Sequence, residues 1–501
     1  MNKQANVIRL PVQRQWSSAK HSTLNSDWAT YSRPADIDIR YGLPTMRARA
    51  RELAQNSDHA KGFLRIVRNN IVGAPGFVLQ SRAVRANGKP DEPLREQIES
   101  EWLAWGRRGN CEVSGKFSWR GLQRHVVETI ARDGEAFIRI VTPYENRWGF
   151  ALQVIDPEAV DIAYNGEYQG RPIRMGVELN DDRRPVAYWV NGEPTINQSS
   201  YRIDDRYRVP AKEMIHAYLP EFTWQTRGVP WMATAAGRLH MITGTEDAEV
   251  TASRASAAKF AAYHAQEWAP QPETPADSGL VDSSGNPMAA DPGQFAQDLA
   301  PGTMEVVPFG YKLDLLDPQH PNAAMPDFLK WGLRSVATGL GVSYNTLGND
   351  AEGVNYTSLR FFLGVERDNW MEAQDWFEAD FPEPIRQQWS NAQLMFGTLT
   401  PRPGREHQVH NIRWQPRRWE GPDPAKQASA DKQELEIGTT TLSQIYARKG
   451  VDFEDAIKQR VAELGKIKAA AESAGLTLAE VLPHLSGLSE LTEQPQDLDD
   501  E

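Results

Sequence analysis

Cysteine is nearly absent from this sequence: Cys111 is the only one in 501 residues. A single cysteine excludes a disulfide within the chain and a cysteine-based metal cluster, and it is typical of a reducing compartment. The sequence also has no run of 18 apolar residues, and its first 20 residues lack the apolar core of a secretory signal peptide. We therefore expect a soluble protein that neither spans a membrane nor is exported.

Basic residues are outnumbered by acidic ones. The chain has 55 Lys and Arg against 67 Asp and Glu, a formal net charge of −12. Proteins that hold DNA tightly do so by neutralising its phosphates with lysine and arginine. The charge balance therefore excludes a protein that wraps nucleic acid, and any DNA that contacts this chain is expected to be held loosely.

Motifs for nucleotide hydrolysis and covalent catalysis are missing. The phosphate-binding pattern G-x-x-x-x-G-K-[ST] does not occur, since SGKFS at residues 114–118 lacks its spacing. There is no G-x-S-x-G turn, and nothing around Cys111 marks a nucleophile. His407 and His410 lie three residues apart without the H-E-x-x-H zinc pattern, and we interpret the alternating sequence there as the end of a solvated strand. We predict no enzyme activity, no metal and no cofactor.

A carbohydrate-active hydrolase is the main enzymatic alternative, because glycoside hydrolysis needs two carboxylates that face one bond. The acid pairs Asp375/Glu378 and Glu366/Asp368 could in principle supply them. Both pairs lie in segments dense with charge, which favours solvated helix faces. The sixteen tryptophans would suit sugar binding, but they are scattered along the sequence and form no recognisable cluster.

The first half of the chain predicts a mixed α+β domain. Apolar residues at helical spacing over residues 60–71 predict a helix that ends at Gly73, and short β-like runs separated by turn signals follow over residues 77–216. Three arginines precede this helix, and we interpret them as an exposed helix end, with DNA or partner contact as the alternative: Arg47, Arg49 and Arg51.

Two helices are predicted on either side of a Pro/Gly-rich excursion. The first begins near Pro230 and carries a stripe of small residues at i+3 and i+4 steps: Ala248, Ala252, Ala255, Ala258 and Ala262. Small residues let helix backbones approach closely, so this stripe could face copies of the chain, a partner helix, or another helix of the same subunit. The second helix carries an apolar stripe over residues 329–340.

A polar, glycine-punctuated stretch, GVSYNTLGNDAEGV, comes next, and loops of this kind usually have a function or no structure. A third helix is predicted after it, with Asn355, Thr357 or Ser358 able to cap its first turn, and FPEP ends it. The alanine-rich sequence over residues 425–484 predicts a separate helical unit, which an acidic tail follows.

Six segments in this order resemble the lambda-type phage portal protein family over residues 47–463. None is a catalytic signature, but the order is specific. The segments are RARELAQNSDHAKGFLRIVRNNIVG, WLAWGRRGNCEVSGKFSWRGLQRHVVETIARDGEAFIRI, MGVELNDDRRPVAYWV, IHAYLPEFTWQTRGVPWMATA, NYTSLRFFLGVERDNW and WEGPDPAKQASADKQELEIGTTTLSQIYARKGVDFEDA.

The resemblance implies an α+β portal fold that assembles as a ring, with a wing, paired stem helices, a clip insertion and a helical crown. The implied divisions are an N-terminal arm and wing at 1–229, stem helices at 230–265 and 325–342, a clip region at 266–324, a tunnel loop at 343–355, a wing helix with return strands at 356–423, and a crown with an acidic tail at 424–501. The candidate channel-facing residues are Ser343, Asn345, Asn349, Asp350, Glu352 and Asn355. The alanine stripe becomes the candidate contact between subunits.

The function implied is a dodecameric ring at one capsid vertex through which double-stranded DNA is packaged and ejected. The implied partners are the terminase large subunit, the major capsid or scaffold protein, and head-completion or tail-connector proteins. The implied location is the virion, after assembly in the host cytoplasm. A net-acidic channel fits this function, because a lysine-lined one would stall the duplex. Another head–tail adaptor is the structural alternative, although such proteins are generally shorter and lack paired stem helices.

Overall fold

The computed structural model describes residues 31–196, 201–257, 260–265, 311–316, 324–350, 355–419, 424–451 and 453–475, together with Ala29, Glu352 and Val481. Two helices open the fold: α1 (Ala35–Asn56) and α2 (Asp58–Ile71). The side chain of Ser57 caps α2 by accepting a hydrogen bond from the backbone of Ala60. The residues of α2 that the helical spacing marked as apolar are buried, which confirms that prediction.

The next part of the chain combines strands with helices, in agreement with the predicted α+β class. The strands are β1 (Val78–Ser81), β2 (Ala136–Val141), β3 (Ala151–Ile155), β4 (Gly166–Tyr168), β5 (Arg171–Arg174), β6 (Val177–Leu179), β7 (Pro185–Gly192), β8 (Arg202–Pro210), β9 (Met214–Ala217) and β12 (Ile412–Gln415). Helix α3 (Glu92–Trp105) contacts β1, and helix α4 (Trp119–Asp133) contacts β2. A three-stranded antiparallel sheet has the order β3-β2-β9, strands β4 to β8 form a five-stranded antiparallel meander, and β1 pairs with the distant β12.

Gly134 makes the turn from α4 into β2. Its φ of +94° lies in the left-handed region, and a Cβ atom there would lie 2.6 Å from the backbone of Val229. Only glycine therefore lets the segment around Gly228 pass across the end of α4. This close passage brings Arg227 beside Glu135.

The remaining elements comprise helices, together with two strands that form a ribbon. Helix α5 (Ala236–Ala257) leads into strand β10 (Phe260–Ala265), which pairs antiparallel with β11 (Tyr311–Leu316). The helices that follow are α6 (Met325–Gly339), α7 (Tyr344–Gly348), α8 (Tyr356–Asp380), α9 (Pro382–Met395), α10 (Pro424–Ile437), α11 (Leu442–Arg448) and α12 (Phe453–Ser473). Among the described residues, no helix combines the length and the apolar character that a membrane crossing requires.

The first stem helix is shorter than predicted at both ends. Turns occupy the residues just after Pro230, and the helix starts only at Ala236. At the other end Ala262 lies in β10 opposite Asp314, so the prediction that it continues the alanine stripe of the helix was wrong. The physical reason is pairing with a strand some fifty positions later in the chain, because tertiary pairing overrides local helix propensity. Ala258 lies outside the described residues.

Tryptophans from distant parts of the sequence meet in the main core. The ring centroid of Trp102 lies 4.8 Å from that of Trp105, 5.3 Å from Trp119, 5.1 Å from Trp389 and 5.9 Å from Trp414. The interpretation of the tryptophans as unclustered was therefore wrong. Sequence spacing could not find this cluster, because its members come from α3, α4, α9 and β12. Packed and buried, they stabilise the fold and are not available to stack on a sugar.

A buried charge cluster lies beside this core, and we call Arg47, Glu135, His216 and Arg227 the buried ion cluster. Glu135 is fully buried and accepts hydrogen bonds from Arg47 at 2.7 Å, from Arg227 at 2.6 Å and from His216, with a 2.9 Å separation. Arg227 also donates to the backbone carbonyl oxygens of Val160 and Met175. The cluster joins α1, the start of β2, β9 and the segment before α5.

The interpretation of the first arginines as an exposed helix end was wrong for two of the three. Arg47 is 1% exposed, and Arg51 donates to Asp133 at 2.8 Å and to Asp156 at 2.7 Å. Arg49 alone is exposed. The partner carboxylates lie more than 80 residues away in the sequence, so the residues around these arginines in α1 gave no signal for them.

Helices α10 to α12 contact the first half of the chain partly through ion pairs. Glu454, near the start of α12, contacts Arg82 and Arg95, while Lys458 lies 2.6 Å from Glu92 of α3. Exposed pairs of this kind contribute little individually. Their position across the joint nevertheless fixes which face of α12 lies against α3.

The buried ion cluster predicts acid sensitivity of the folded state. Burial would raise the pKa of Glu135, but Arg227, His216 and Arg47 hold it well below its usual value of 4.5, while burial lowers the pKa of His216. Because both pKa values are lower in the folded chain, the unfolded chain binds more protons as the pH falls. We expect the free energy of unfolding, measured by urea denaturation, to fall as the pH drops below about 6.5 and more steeply below about 4.5.

Glu135→Gln provides the control for this assignment. It leaves two buried guanidinium groups without their carboxylate, which costs about 3–5 kcal/mol at pH 7. The variant should also show a shallower dependence of stability on pH. A variant as stable as the parent at pH 7, or with an unchanged pH profile, would contradict the role of the cluster.

Candidate functional site

The predicted tunnel segment begins with a helical turn, so its interpretation as a loop was wrong for the first half. Ser343 caps α7, its side chain accepting from the backbone N–H of Thr346 at 3.2 Å. Asn349 ends the turn in the left-handed conformation, at φ 49° and ψ 38°, and its N–H donates to the carbonyl of Asn345. A serine cap and an asparagine stop six residues later are sufficient signals for one helical turn. The glycines and polar residues around them concealed this pattern.

Glu366 of α8 fixes that turn to the long helix. Its carboxylate is 6% exposed, and Oε2 accepts hydrogen bonds from the Thr346 hydroxyl at 2.9 Å and from the Ser343 backbone N–H at 3.2 Å. The indole of Trp370 donates to Oε1 at 3.2 Å. Leu347 adds a buried apolar contact. The first half of the segment is therefore held in place at the junction of α6, α7 and α8.

The second half of the segment carries the carboxylates predicted to face the channel. Asp350 accepts hydrogen bonds from the Tyr344 hydroxyl and the Glu352 backbone N–H, each at 2.9 Å. The hydrogen bond from the Glu352 backbone lowers the pKa of Asp350 most, and the one from the Tyr344 hydroxyl lowers it further. Lys330 of α6 lies 3.1 Å from Glu352 and 3.9 Å from Asp350. Arg334, also of α6, lies over the Tyr344 ring and further lowers the pKa of Asp350, so two cations face the two carboxylates.

The start of α8 confirms the predicted cap. Asn355 accepts a hydrogen bond from the backbone N–H of Ser358 at 2.8 Å. Within its first turns the helix exposes three large apolar side chains, since Phe361 is 67% exposed and Phe362 and Val365 are also exposed. The sequence showed a wide apolar face on this helix. What it could not show is that part of that face remains uncovered within one chain.

The candidate subunit-contact residues are only partly described. On α5, Ala248 is exposed and Ala252 is half-buried, while for Ala255 only the backbone is described. Packing between α5 and α6 uses other positions: a Cβ atom on Gly332 would lie 3.2 Å from Ile242. Ala248 is therefore not part of the packing between α5 and α6.

The acidic residues of the two candidate pairs differ in their surroundings. Both oxygens of Glu366 accept hydrogen bonds from α7 and Trp370. Burial, with Asp375 and Glu383 nearby, raises the pKa of Glu378 to about 6. Burial raises the pKa of the Cys111 thiol to about 12, so this thiol stays protonated at neutral pH.

The candidate metal-binding histidines also form no cluster. His407 and His410 lie in a 3-10 turn, Glu406–His410, and not on the strand that the alternating sequence suggested; that strand, β12, begins only at Ile412. His410 lies 3.3 Å from Arg386, a cation. Within the described ranges no three potential metal ligands come together.

Comparison with known proteins identifies the family. The model of the family described as "Phage portal protein, lambda family" matches residues 21–374. A probable portal protein of Halomonas phage phiHAP-1 is 33% identical over 461 residues, which is 91% of this chain and 87% of that protein. Portal protein B of Escherichia phage lambda is 21% identical over 495 residues, which is 93% of this chain and 92% of that protein. The chain therefore belongs to the lambda family of phage portal proteins, and the resemblance found in its sequence is confirmed.

A chain from the neck of an empty GTA particle, computed with C6 symmetry, is 12% identical with a TM-score of 0.41 and covers 84% of this chain and 95% of that chain. The family assignment rests on the sequence matches alone.

The contacts of Glu366 predict that this residue orders the segment after α6. Glu366→Ala removes the acceptor of three hydrogen bonds and should destabilise the junction by about 1–3 kcal/mol. The measurement is hydrogen–deuterium exchange of a peptide spanning residues 343–350, which should exchange faster in the variant. Glu366→Gln keeps one acceptor oxygen, so the exchange rate of this peptide should lie between the rates in Glu366→Ala and in the parent. Equal exchange in all three proteins would show that the junction is held by apolar packing alone.

Proposed function

We propose that this chain forms a dodecameric ring at one capsid vertex, through which double-stranded DNA enters during packaging and leaves during ejection. The terminase large subunit docks on the ring during packaging, and head-completion or tail-connector proteins occupy the same end afterwards. Major capsid or scaffold protein surrounds the ring. The protein is assembled in the host cytoplasm and remains in the virion. Family membership supports this proposal over the alternative of a carbohydrate-active hydrolase.

Exposed apolar side chains on three helices carry the proposal of a ring. Single exposed apolar residues are ordinary, but large ones gathered on a few elements mark an interaction surface. Met241 is 71% exposed on α5, Trp331 is 62% exposed on α6, and Phe361 is 67% exposed on α8. Contact with neighbouring copies would cover these side chains, and a closed ring gives every copy the same two neighbours.

The order of the elements supports the division of the chain. Helices α5 and α6 would form the stem, and the ribbon of β10 and β11 would carry the clip on its far side. Helix α8 would be the wing helix and α10 to α12 the crown. The segment from Ser343 to Asn355 would then face the channel between the stem and the wing.

The charge of the candidate channel segment favours sliding over holding. Lys330 contacts both Asp350 and Glu352. Arg334 of the same helix also acts on Asp350. Two cations thus balance two carboxylates, and no surplus cation is left for the duplex to bind. DNA would move past such a segment without counterion release. We infer a collar that limits the width of the channel and does not clamp the duplex.

The ring assignment predicts the effect of a bulky residue on the stem. Ala248→Trp adds an indole to an exposed position, so it should leave the fold of one chain unchanged. In a ring the clash repeats at every subunit contact, at about 1–3 kcal/mol each. Negative-stain images and sedimentation should show broken or distorted rings in this variant. Ala86→Trp, an exposed alanine in a wing turn, is the matched control. Intact rings in the Ala248 variant would reject the stem contact.

The collar assignment predicts a packaging defect without an assembly defect. Deletion of residues 349–352 removes the exposed end of the segment but leaves α7 and its contacts with Glu366. Rings should therefore form, while particles built with them should hold less DNA or lose it on storage. The DNA content of purified particles is the measurement. Lys330→Gln, which breaks the ion pairs without shortening the chain, is the control. Normal filling and retention by the deletion variant would refute the collar and leave the family assignment intact.

A further inference from the structure

A cavity of about 860 Å³ opens between the wing and the crown. Its walls come from β1, β12 and the segment after β12, from the middle of α8, and from α10 to α12. Apolar groups line part of it, including Trp414, Trp419 and Phe453. The cavity is large enough for a small ligand or for a few units of a polymer.

The cavity has a charge opposite to that of the chain. Two carboxylates line it, Asp368 and Asp431, whereas the chain as a whole has a net charge of −12. The cationic lining residues come from several separate elements and segments and are Arg82, Arg367, Arg413, Arg418, Arg448 and Lys449. A concave surface lined with one sign of charge concentrates ions of the other sign.

Part of this positive charge is compensated within the crown and at its joint with the wing. Arg448 lies 2.8 Å from Glu434 and 3.8 Å from Asp431, and Lys449 lies 3.9 Å from Asp431. Arg82 lies 3.3 Å from Glu454. These three cations therefore hold the cavity wall together and contribute less to its potential.

The wing side of the cavity is less compensated. Arg418 donates to the neutral amide of Gln374 at 3.4 Å, a contact that leaves its charge intact. Arg413 is exposed and, within the described part of the chain, its side chain makes no hydrogen bond or ion pair, although both arginines act at longer range on Glu378. Cations also crowd one another here: burial and then the charge of Arg367 lower the pKa of Arg417.

We propose that this wing–crown cavity binds phosphate groups, with Arg413 and Arg418 as the contacting residues. Guanidinium groups bind phosphate oxygens in paired hydrogen bonds, and Arg is preferred over Lys where that geometry matters. The same chemistry is presented by the phosphodiester backbone of DNA and by a free polyphosphate. The cavity is distinct from the candidate channel segment, so this proposal does not depend on the collar.

The test compares Arg413→Gln/Arg418→Gln with the parent in two binding assays on the purified full-length protein. Fluorescence anisotropy of a labelled 20-base-pair duplex measures DNA binding between 50 and 200 mM salt, and calorimetry measures pyrophosphate binding. Each phosphate contact contributes about 0.9 to the slope of log affinity against log salt, so the double variant should lose about 2 from the slope for DNA. The exposed pair Arg107→Gln/Arg184→Gln removes the same charge elsewhere and is the matched control.

Each outcome decides the proposal. DNA binding that weakens only in the cavity variant supports a backbone-phosphate site, and pyrophosphate binding lost only in that variant supports a site for small polyphosphates. Equal effects of the two double variants would mean that only bulk charge acts, and this would overturn the site. Absence of binding to both ligands by the parent protein would overturn it as well. Ring assembly and thermal unfolding of the variants show independently whether the fold is intact.

Discussion

The burial of one carboxylate with two guanidinium groups fixes how the α+β part of the chain is assembled. Glu135 carries its charge in the interior only because Arg47 and Arg227 contact it there, and each arginine would be unstable in the same place without it. The three residues come from α1, the start of β2 and the segment before α5. Those segments must therefore arrive together, and Gly134 is the residue that lets the backbone pass closely enough. The sheets and the tryptophan core pack around this arrangement.

The sequence predicted local structure well where the local pattern agrees with the fold. The apolar spacing of α2 and the cap at Asn355 were both found, because each depends on neighbours within a few residues. The strand at Ala262 and the burial of Arg47 were missed, because both depend on partners that lie far away along the chain. The family could be inferred because the order of many weak segments is itself informative. The wing–crown cavity could not, because its walls are separated by hundreds of residues.

The candidate channel segment shows the same contrast between local pattern and distant contacts within a few residues. The sequence suggested a polar loop with a function or no structure, whereas the structure separates a fixed turn, which Glu366 holds, from an end that Lys330 contacts. The hydrogen-bonded turn fixes the chain directly before the two carboxylates. In the proposed ring, every copy would therefore present these carboxylates in the same position.

The ribbon of β10 and β11 has an evolutionary consequence. Its register pairs Phe260 with Leu316 and Ala265 with Tyr311, so the chain returns to the body beside the point where it left. Closing a loop at its base makes the free energy of the body only weakly dependent on the length of the loop. Insertions, deletions and substitutions between the two strands can therefore accumulate without repacking α5 or α6. Selection for a new docking partner could act on that interval alone, while the rest of the protein stays constant.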